Sequence, residues 1–249
     1  MLRLSLLKNH LLGDTETMVL AAHYDRVNGS PGANDNSAAV FQLVETALLL
    51  KKEQAKRWFI LFTDKEELGT GEGVCDQGAY TLAKGLRDAG FKTQDLFIFD
   101  ACGSGDTLII STVVDILTKN DERLGSVRIR HRAQQLRTRA LETARKLALD
   151  RVLLSSTPFS DDAGFLRAGI AAQTITMLPA AEAASLVSLV RNKPDFADAL
   201  ISRNMPENDD KTWIPATWRR LNGSDDELSY LTPQHFSTVV RFAQALCYR

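Results

Sequence analysis

Three short apolar runs, each followed by an acidic or imidazole cluster, constrain this chain more than any other feature. They are Met18-Val19-Leu20-Ala21-Ala22, Trp58-Phe59-Ile60-Leu61-Phe62 and Leu96-Phe97-Ile98-Phe99. Each is continuous and rich in branched or aromatic side chains, and so reads as a buried β-strand. After them stand His23-Tyr24-Asp25, Glu66-Glu67 and Asp100. In an open α/β sheet, ligands bind beyond the carboxyl ends of the strands. Parallel pairing of these runs therefore collects one imidazole and several carboxylates in one crevice, the composition of a metal site.

The segments between and after the runs read as helices and further strands. A helix is expected over Ser37–Lys52, with Asn36 or Ser37 as its cap. A loop containing Gly69, Gly71 and Gly73 leads to a helix from about Gln77 to Ala89, ended by Gly90. Beyond Gly103-Ser104-Gly105, the pattern predicts a strand over Thr107–Val114 and an amphipathic helix over Arg132–Leu149 with its basic residues in solvent. A short helix follows over Asp161–Ala168, ended by Gly169, then a strand over Ile170–Met177. Thr232 and Pro233 open the last helix as cap and first turn. Such alternation implies a three-layer αβα sandwich around a mostly parallel, partly mixed sheet, and residues 1–249 are expected to form one domain.

Composition excludes some functions. The formal net charge is −1, which gives no electrostatic footprint for nucleic acid or a membrane surface. No apolar run has the length of a bilayer span. Met1–Lys8 is too short and too interrupted by charge for a signal-peptide core. Cys75, Cys102 and Cys247 are odd in number and lack metal-ligand spacing, so reduced, buried thiols in a cytoplasmic protein are expected.

The chemistry-bearing residues have distinct readings. His23 and Asp25 are two apart at a strand end and share a face, so one can hold a metal while the other orients it. Asp35, at a loop-to-helix junction, reads either as a helix cap or as a ligand. Adjacent side chains diverge, so one of Glu66 and Glu67 can bind metal while the other faces a water as general base. Asp100 closes a wholly apolar strand, where a carboxylate needs a partner.

Together these segments resemble the co-catalytic zinc aminopeptidases, a family that also includes glutamate carboxypeptidases and glutaminyl cyclases. The matching motifs are His23-Tyr24-Asp25, Gly32-Ala33-Asn34-Asp35-Asn36-Ser37, Glu66-Glu67-Leu68-Gly69, Asp100-Ala101-Cys102-Gly103, and Ser160-Asp161 with Phe165 and Gly169-Ile170. The resemblance implies a zinc-exopeptidase fold and a peptide or small amide substrate. Asp35 would bridge two zinc ions, with His23 and Asp100 completing one site. Glu67 and a late histidine would complete the other, and Glu66 would be the general base. Asp25 and Asp161 would stand beside the ligands.

The chain departs from that pattern where the late histidine belongs. Asn222 stands there, in Asn222-Gly223-Ser224-Asp225-Asp226. An amide oxygen is a poor zinc ligand beside imidazole, so Asn222 is at best a weak ligand and only the His23 side is expected to hold zinc well. His235, in the first turn of the last helix, reads as a surface residue, and His10 and His131 have weaker claims still. Asp162 replaces a frequent histidine, Asn36 a frequent aspartate and Ala171 a frequent proline. The helix and strand that usually precede the first motif are short or missing.

Three functions follow: a zinc-dependent, aminopeptidase-like hydrolase with an incomplete dinuclear site, a binding protein that kept the fold, or a glutaminyl-cyclase-like acyl transferase. The segment Asn204–Asn222, with Trp213 and Trp218, reads either as a substrate-facing lid or as a loop with both rings packed beneath it.

Overall fold

The structure is a computed structural model that describes residues 17–88, 95–120, 126–193, 195–201 and 211–248. Its centre is a six-stranded sheet in the order β2-β1-β3-β6-β4-β5. The strands are β1 (Met18–His23), β2 (Trp58–Thr63), β3 (Asp95–Phe99), β4 (Thr107–Ser111), β5 (Val152–Ser155) and β6 (Gln173–Leu178). All neighbouring pairs are parallel except β4 with β6, so β4 and β5 run against the other strands. The three apolar runs are β1, β2 and β3, lying side by side. The helices are α1 (Ala38–Lys52), α2 (Gly78–Asp88), α3 (Val113–Asn120), α4 (Val127–Lys146), α5 (Asp161–Arg167), α6 (Ala180–Asn192), α7 (Asp195–Ile201), α8 (Ala216–Arg220) and α9 (Phe236–Leu246).

Strand alternation sorts the core into two layers. Met18, Leu20, Phe97 and Phe99 meet Leu43 of α1, Leu136 and Ala140 of α4, and Phe242 of α9. Val19, Ala21, Leu96 and Ile98 meet Ala79 and Ala83 of α2 and Phe165 of α5 on the opposite face. Helices thus cover both faces, the three-layer arrangement the sequence implies. β1 and β3 are buried throughout, whereas β2 is only partly covered and exposes Phe62.

Several expected boundaries are corrected. The Thr107 run stops at Ser111, whose hydroxyl accepts the amide of Val113 at 3.1 Å and turns the chain into α3. The last parallel strand begins at Gln173 rather than Ile170, because the Ile170 amide closes α5 on the Phe165 carbonyl at 2.9 Å. α4 begins earlier than its periodicity predicts, with Ser126 Oγ accepting the Ile129 amide at 3.3 Å as its cap. Neither Asn36 nor Ser37 provides a side-chain cap for α1. Thr232 does not cap the last helix either: its hydroxyl accepts the Gly105 amide at 2.9 Å, and a 3₁₀ turn over Pro233–His235 precedes α9. β5 is a strand the sequence reading does not anticipate. The expected stop of α2 at Gly90, the Met1–Lys8 segment and His10 lie outside the described residues.

The basic face of α4 is not simply a wet face. Arg132 and Arg139 both pair with the buried Asp95 at the start of β3, Arg132 at 2.5 Å. Arg139 also donates to the Leu246 carbonyl at 2.6 Å, tying α4 to the end of α9. The cysteines are free, but Cys75 is exposed, against expectation; it lies in a short turn (Val74–Asp76) rather than under the core.

Candidate metal centre

Parallel pairing brings the sequence-predicted ligands to one edge of the sheet. Ala21 of β1 lies opposite Ile98 of β3, and continuing that register sets His23 level with Asp100. Gly32, at φ 65°, turns the chain into the loop that carries Asp35; a side chain there would press on the Asp35 carbonyl, 3.0 Å from a Cβ. Asn36 then bridges this loop to the end of β3, donating to the Phe99 carbonyl at 2.9 Å and accepting the Ala101 amide at 3.2 Å. That bridge explains why Asn36 is unavailable to cap α1. Lys65, Ala101 and Asn222 all have positive φ (57°, 49° and 65°), so sparsely populated backbone flanks Glu66 and Asp100 and carries Asn222 itself.

His23, Asp35 and Asp100 offer ligand atoms within 4.8 Å of one another. His23 Nε2 lies 3.0 Å from Asp35 Oδ1 and 3.6 Å from Asp100 Oδ1. That nitrogen is buried and makes no well-directed hydrogen bond. With zinc bonds of about 2.0–2.2 Å, tetrahedral ligands sit about 3.3 Å apart, so these separations suit three corners of one zinc site. The other ring nitrogen, Nδ1, is held by Asp25, 3.2 Å from its carbonyl and 3.4 Å from its carboxylate. This contact presents Nε2 to the carboxylates.

Asp25 has a second task. Its two carboxylate oxygens accept the amides of Glu66 and Glu67 at 3.2 and 3.1 Å, fixing the Glu-Glu turn against β1. The expected divergence of the pair is present. Glu66 is buried, lines a cleft of about 270 Å³ with Asp35 and Asp100, and accepts a hydrogen bond from the side-chain Nε2 of Gln77 at 3.2 Å. Glu67 is only partly buried and faces Asn222. Gly78 lets α2 start against this turn, since a Cβ would lie 1.9 Å from the Asp64 carbonyl oxygen.

Burial disfavours the charged form of His23, but Asp100, Asp25 and Asp35 outweigh it and hold the imidazole well above its usual pKa. Burial pushes Glu66 well above the carboxylate range, with Asp100, Asp161 and Asp35 adding to it against the opposing pull of His23. Burial, together with Asp35, raises Glu67 to about 8. Asp161 is buried and raised to about 7, mainly by desolvation, while accepting the Thr63 hydroxyl. So dense a set of carboxylates around one imidazole is a site short of positive charge.

Other expectations are sorted by position. Asp162 accepts the Thr174 hydroxyl at 2.5 Å and the Ser160 amide at 3.0 Å and is not among the clustered ligand residues. His131 is exposed on α4, and His235 is partly buried in the turn before α9; neither joins a ligand group among the described residues. Trp218 lines the cleft, whereas the Trp213 ring packs edge-on against Phe196, with centroids 4.8 Å apart. Sequence reasoning missed Gln77 and also the function of Asp226. The Asp226 carboxylate accepts the amides of Asn34 and Asp35 at 2.9 and 3.0 Å, and its carbonyl accepts that of Ala33 at 3.0 Å. The one available signal was its place four residues after Asn222.

The fold and this centre define an α/β protein of the zinc-exopeptidase kind. The family model of peptidase family M28 matches residues 7–241, and the chain belongs to that family. No curated protein sequence matches it significantly. Among solved structures it is similar to BSAP, a zinc aminopeptidase from Bacillus subtilis, at 18% identity and a TM-score of 0.60, covering 94% of this chain and 46% of that one. It is also similar to the LapA aminopeptidase of Legionella pneumophila, at 18% identity and a TM-score of 0.62, covering 94% and 50%. The glutaminyl cyclase of Tannerella forsythia matches at 15% identity and a TM-score of 0.62, covering 94% and 74%. The chain thus spans about half the length of the two aminopeptidases and three quarters of the cyclase. No described helix is long and apolar enough to cross a membrane.

Proposed function

We propose that the protein is a zinc-dependent hydrolase of peptide or amide bonds, aminopeptidase-like, with one zinc held by His23, Asp35 and Asp100. The observation that carries this reading is His23 Nε2, buried and facing two carboxylates at zinc-ligand separations. Zinc bound there would polarise the scissile carbonyl and acidify a water. Asp25 keeps the imidazole turned towards the cluster. Glu66 shares the cleft wall with Asp35 and Asp100, where a carboxylate can reach a water held by the ion. It takes the proton of the attacking water and returns it to the leaving amine.

Cleft chemistry supports an amine-ended substrate. Its described lining includes Asp35, Glu66 and Asp100 but no lysine or arginine, while Phe159, Ile214, Trp218 and Leu221 form an apolar wall. A free amino terminus would meet carboxylates and an uncharged side chain would meet that wall, whereas a terminal carboxylate would meet like charge.

The test is Glu66→Gln assayed on aminoacyl-p-nitroanilides, with zinc content measured in parallel. We expect turnover to fall by about 10²–10⁴-fold with zinc content unchanged. Persistence of turnover would remove Glu66 as the base. Failure of the zinc-loaded wild type to cleave any amide would return the reading to a binding role. The likeness to a glutaminyl cyclase that this chain covers to 74% of its length supports a second reading, acyl transfer. Release of a pyroglutamyl product and ammonia from glutaminyl peptides, without peptide cleavage, would favour it.

A further inference from the structure

We propose that the Asn222 side-chain amide takes the place of a second cation, so that the centre is built to work with one metal. This rests on the reading of His23, Asp35 and Asp100 as a zinc site. With its carboxamide oxygen turned towards Glu67, Asn222 would set acceptor against acceptors. Amide orientation follows the hydrogen-bond sense, and the half-turned group donates to Glu67 Oε1 at 2.5 Å and Oε2 at 3.1 Å.

Two consequences follow from those distances. Ligands of one zinc ion stand about 3.3 Å apart in a tetrahedron, so the closer contact, at 2.5 Å, is a hydrogen bond with no room for an ion between the groups. The N–H donors give both Glu67 oxygens a hydrogen-bond partner. The described residues place no second imidazole in the cluster. Asn222 is not a wandering side chain, because its loop is anchored. The Asp226 amide bonds the Gly223 carbonyl at 3.3 Å, and Asp226 holds the amides of Asn34 and Asp35.

Restoring an imidazole should therefore open the second position. Asn222 has φ 65°, and histidine, like asparagine, is enriched in that left-handed region, so Asn222→His is compatible with the backbone. The experiment loads the wild type, Asn222→His and Asn222→Ala with zinc or cobalt, removes free metal by exhaustive exchange, and counts bound metal by elemental analysis. Circular dichroism and the cobalt absorption spectrum follow fold and coordination. We expect one metal per chain in the wild type and in Asn222→Ala, and two in Asn222→His with added cobalt absorption. Two metals in the wild type would overturn the inference but leave the zinc-hydrolase reading standing. One metal in a folded Asn222→His would also overturn it, since something other than Asn222 would then exclude the second ion. No metal in the wild type would overturn this inference together with the zinc-site reading. The expected metal counts without any amide turnover would uphold the inference while the hydrolase reading fails.

Discussion

The carboxylate of Asp226 accepts the amides of Asn34 and Asp35 while its carbonyl takes that of Ala33, so one residue pins three successive amides of the loop that delivers Asp35. Replacing it with alanine leaves two buried N–H groups unpaired, at about 1–3 kcal/mol each. We expect Asp226→Ala to weaken zinc binding about 10–100-fold, as loss of a ligand's support does. Asparagine, with one acceptor oxygen, should recover part of that loss. Chelator competition measures the affinity, and an unchanged value would mean that the loop holds itself. At this scale the sequence is legible where polar residues interrupt apolar ones: His23 and Asp100 stand out at the ends of β1 and β3. Asp226 and Gln77 do not, because their partners lie far along the chain or carry no local pattern. Asp226 reaches Asn34 across a separation of 192 residues. Asn222 was legible only as a missing imidazole; its proposed pairing with Glu67 was not.

Among the elements, α4 and β3 show why periodicity assigns a face and not a partner. The basic residues of α4 have the spacing of a solvated stripe, yet Arg132 and Arg139 converge on Asp95, which is 5% exposed. Removing one member of a buried ion pair costs about 3–5 kcal/mol, because a charge is left without its partner. Asp95→Ala is therefore expected to lose stability of that order in urea unfolding, and Arg132→Ala less, since Arg139 remains. A loss within about 0.5 kcal/mol, typical of ordinary surface substitutions, would mean that water already screens the cluster. β1, β2 and β3 were legible because each is an unbroken apolar run. β6 was partly so, its alternation of Thr174 and Thr176 with Ile175 and Met177 marking one polar and one core face. β5 was not: Val152-Leu153-Leu154-Ser155 is short and follows a helix with little punctuation.

For the whole molecule, the crowded carboxylates make stability depend on pH and metal together. Asp162, Asp161 and Glu67 are raised to about 6, 7 and 8 from reference values of 3.8, 3.8 and 4.5. His23 is raised as well. From about pH 4 to 8 the folded, metal-free protein thus binds more protons than the unfolded chain, and its stability falls as pH rises. Zinc requires the deprotonated ligands and should flatten or reverse that slope. Melting curves from about pH 5 to 8, in chelator and in zinc, test the sign. At about 1,000 times its dissociation constant, zinc adds about 4 kcal/mol. For a chain of this size that raises Tm by roughly 8–16 °C. A metal-free protein that grows more stable towards pH 8 would contradict the assigned shifts.

The contact between Asp226 and the Asp35 loop also sets an order of assembly. Its partners are separated by nearly the full length of the described chain, and contacts of such high order form late, after the entropy of closing the intervening loop has been met. β1 and β3 can pair, and His23 can come level with Asp100, before the loop of Asn222 and Asp226 arrives. Until it does, the amides of Asn34 and Asp35 lack their carboxylate partner, and the loop that carries the third proposed zinc ligand is held from the β3 side by Asn34 and Asn36. On the proposed reading, a growing or partly folded copy would be chemically quiet until this last contact completes the site.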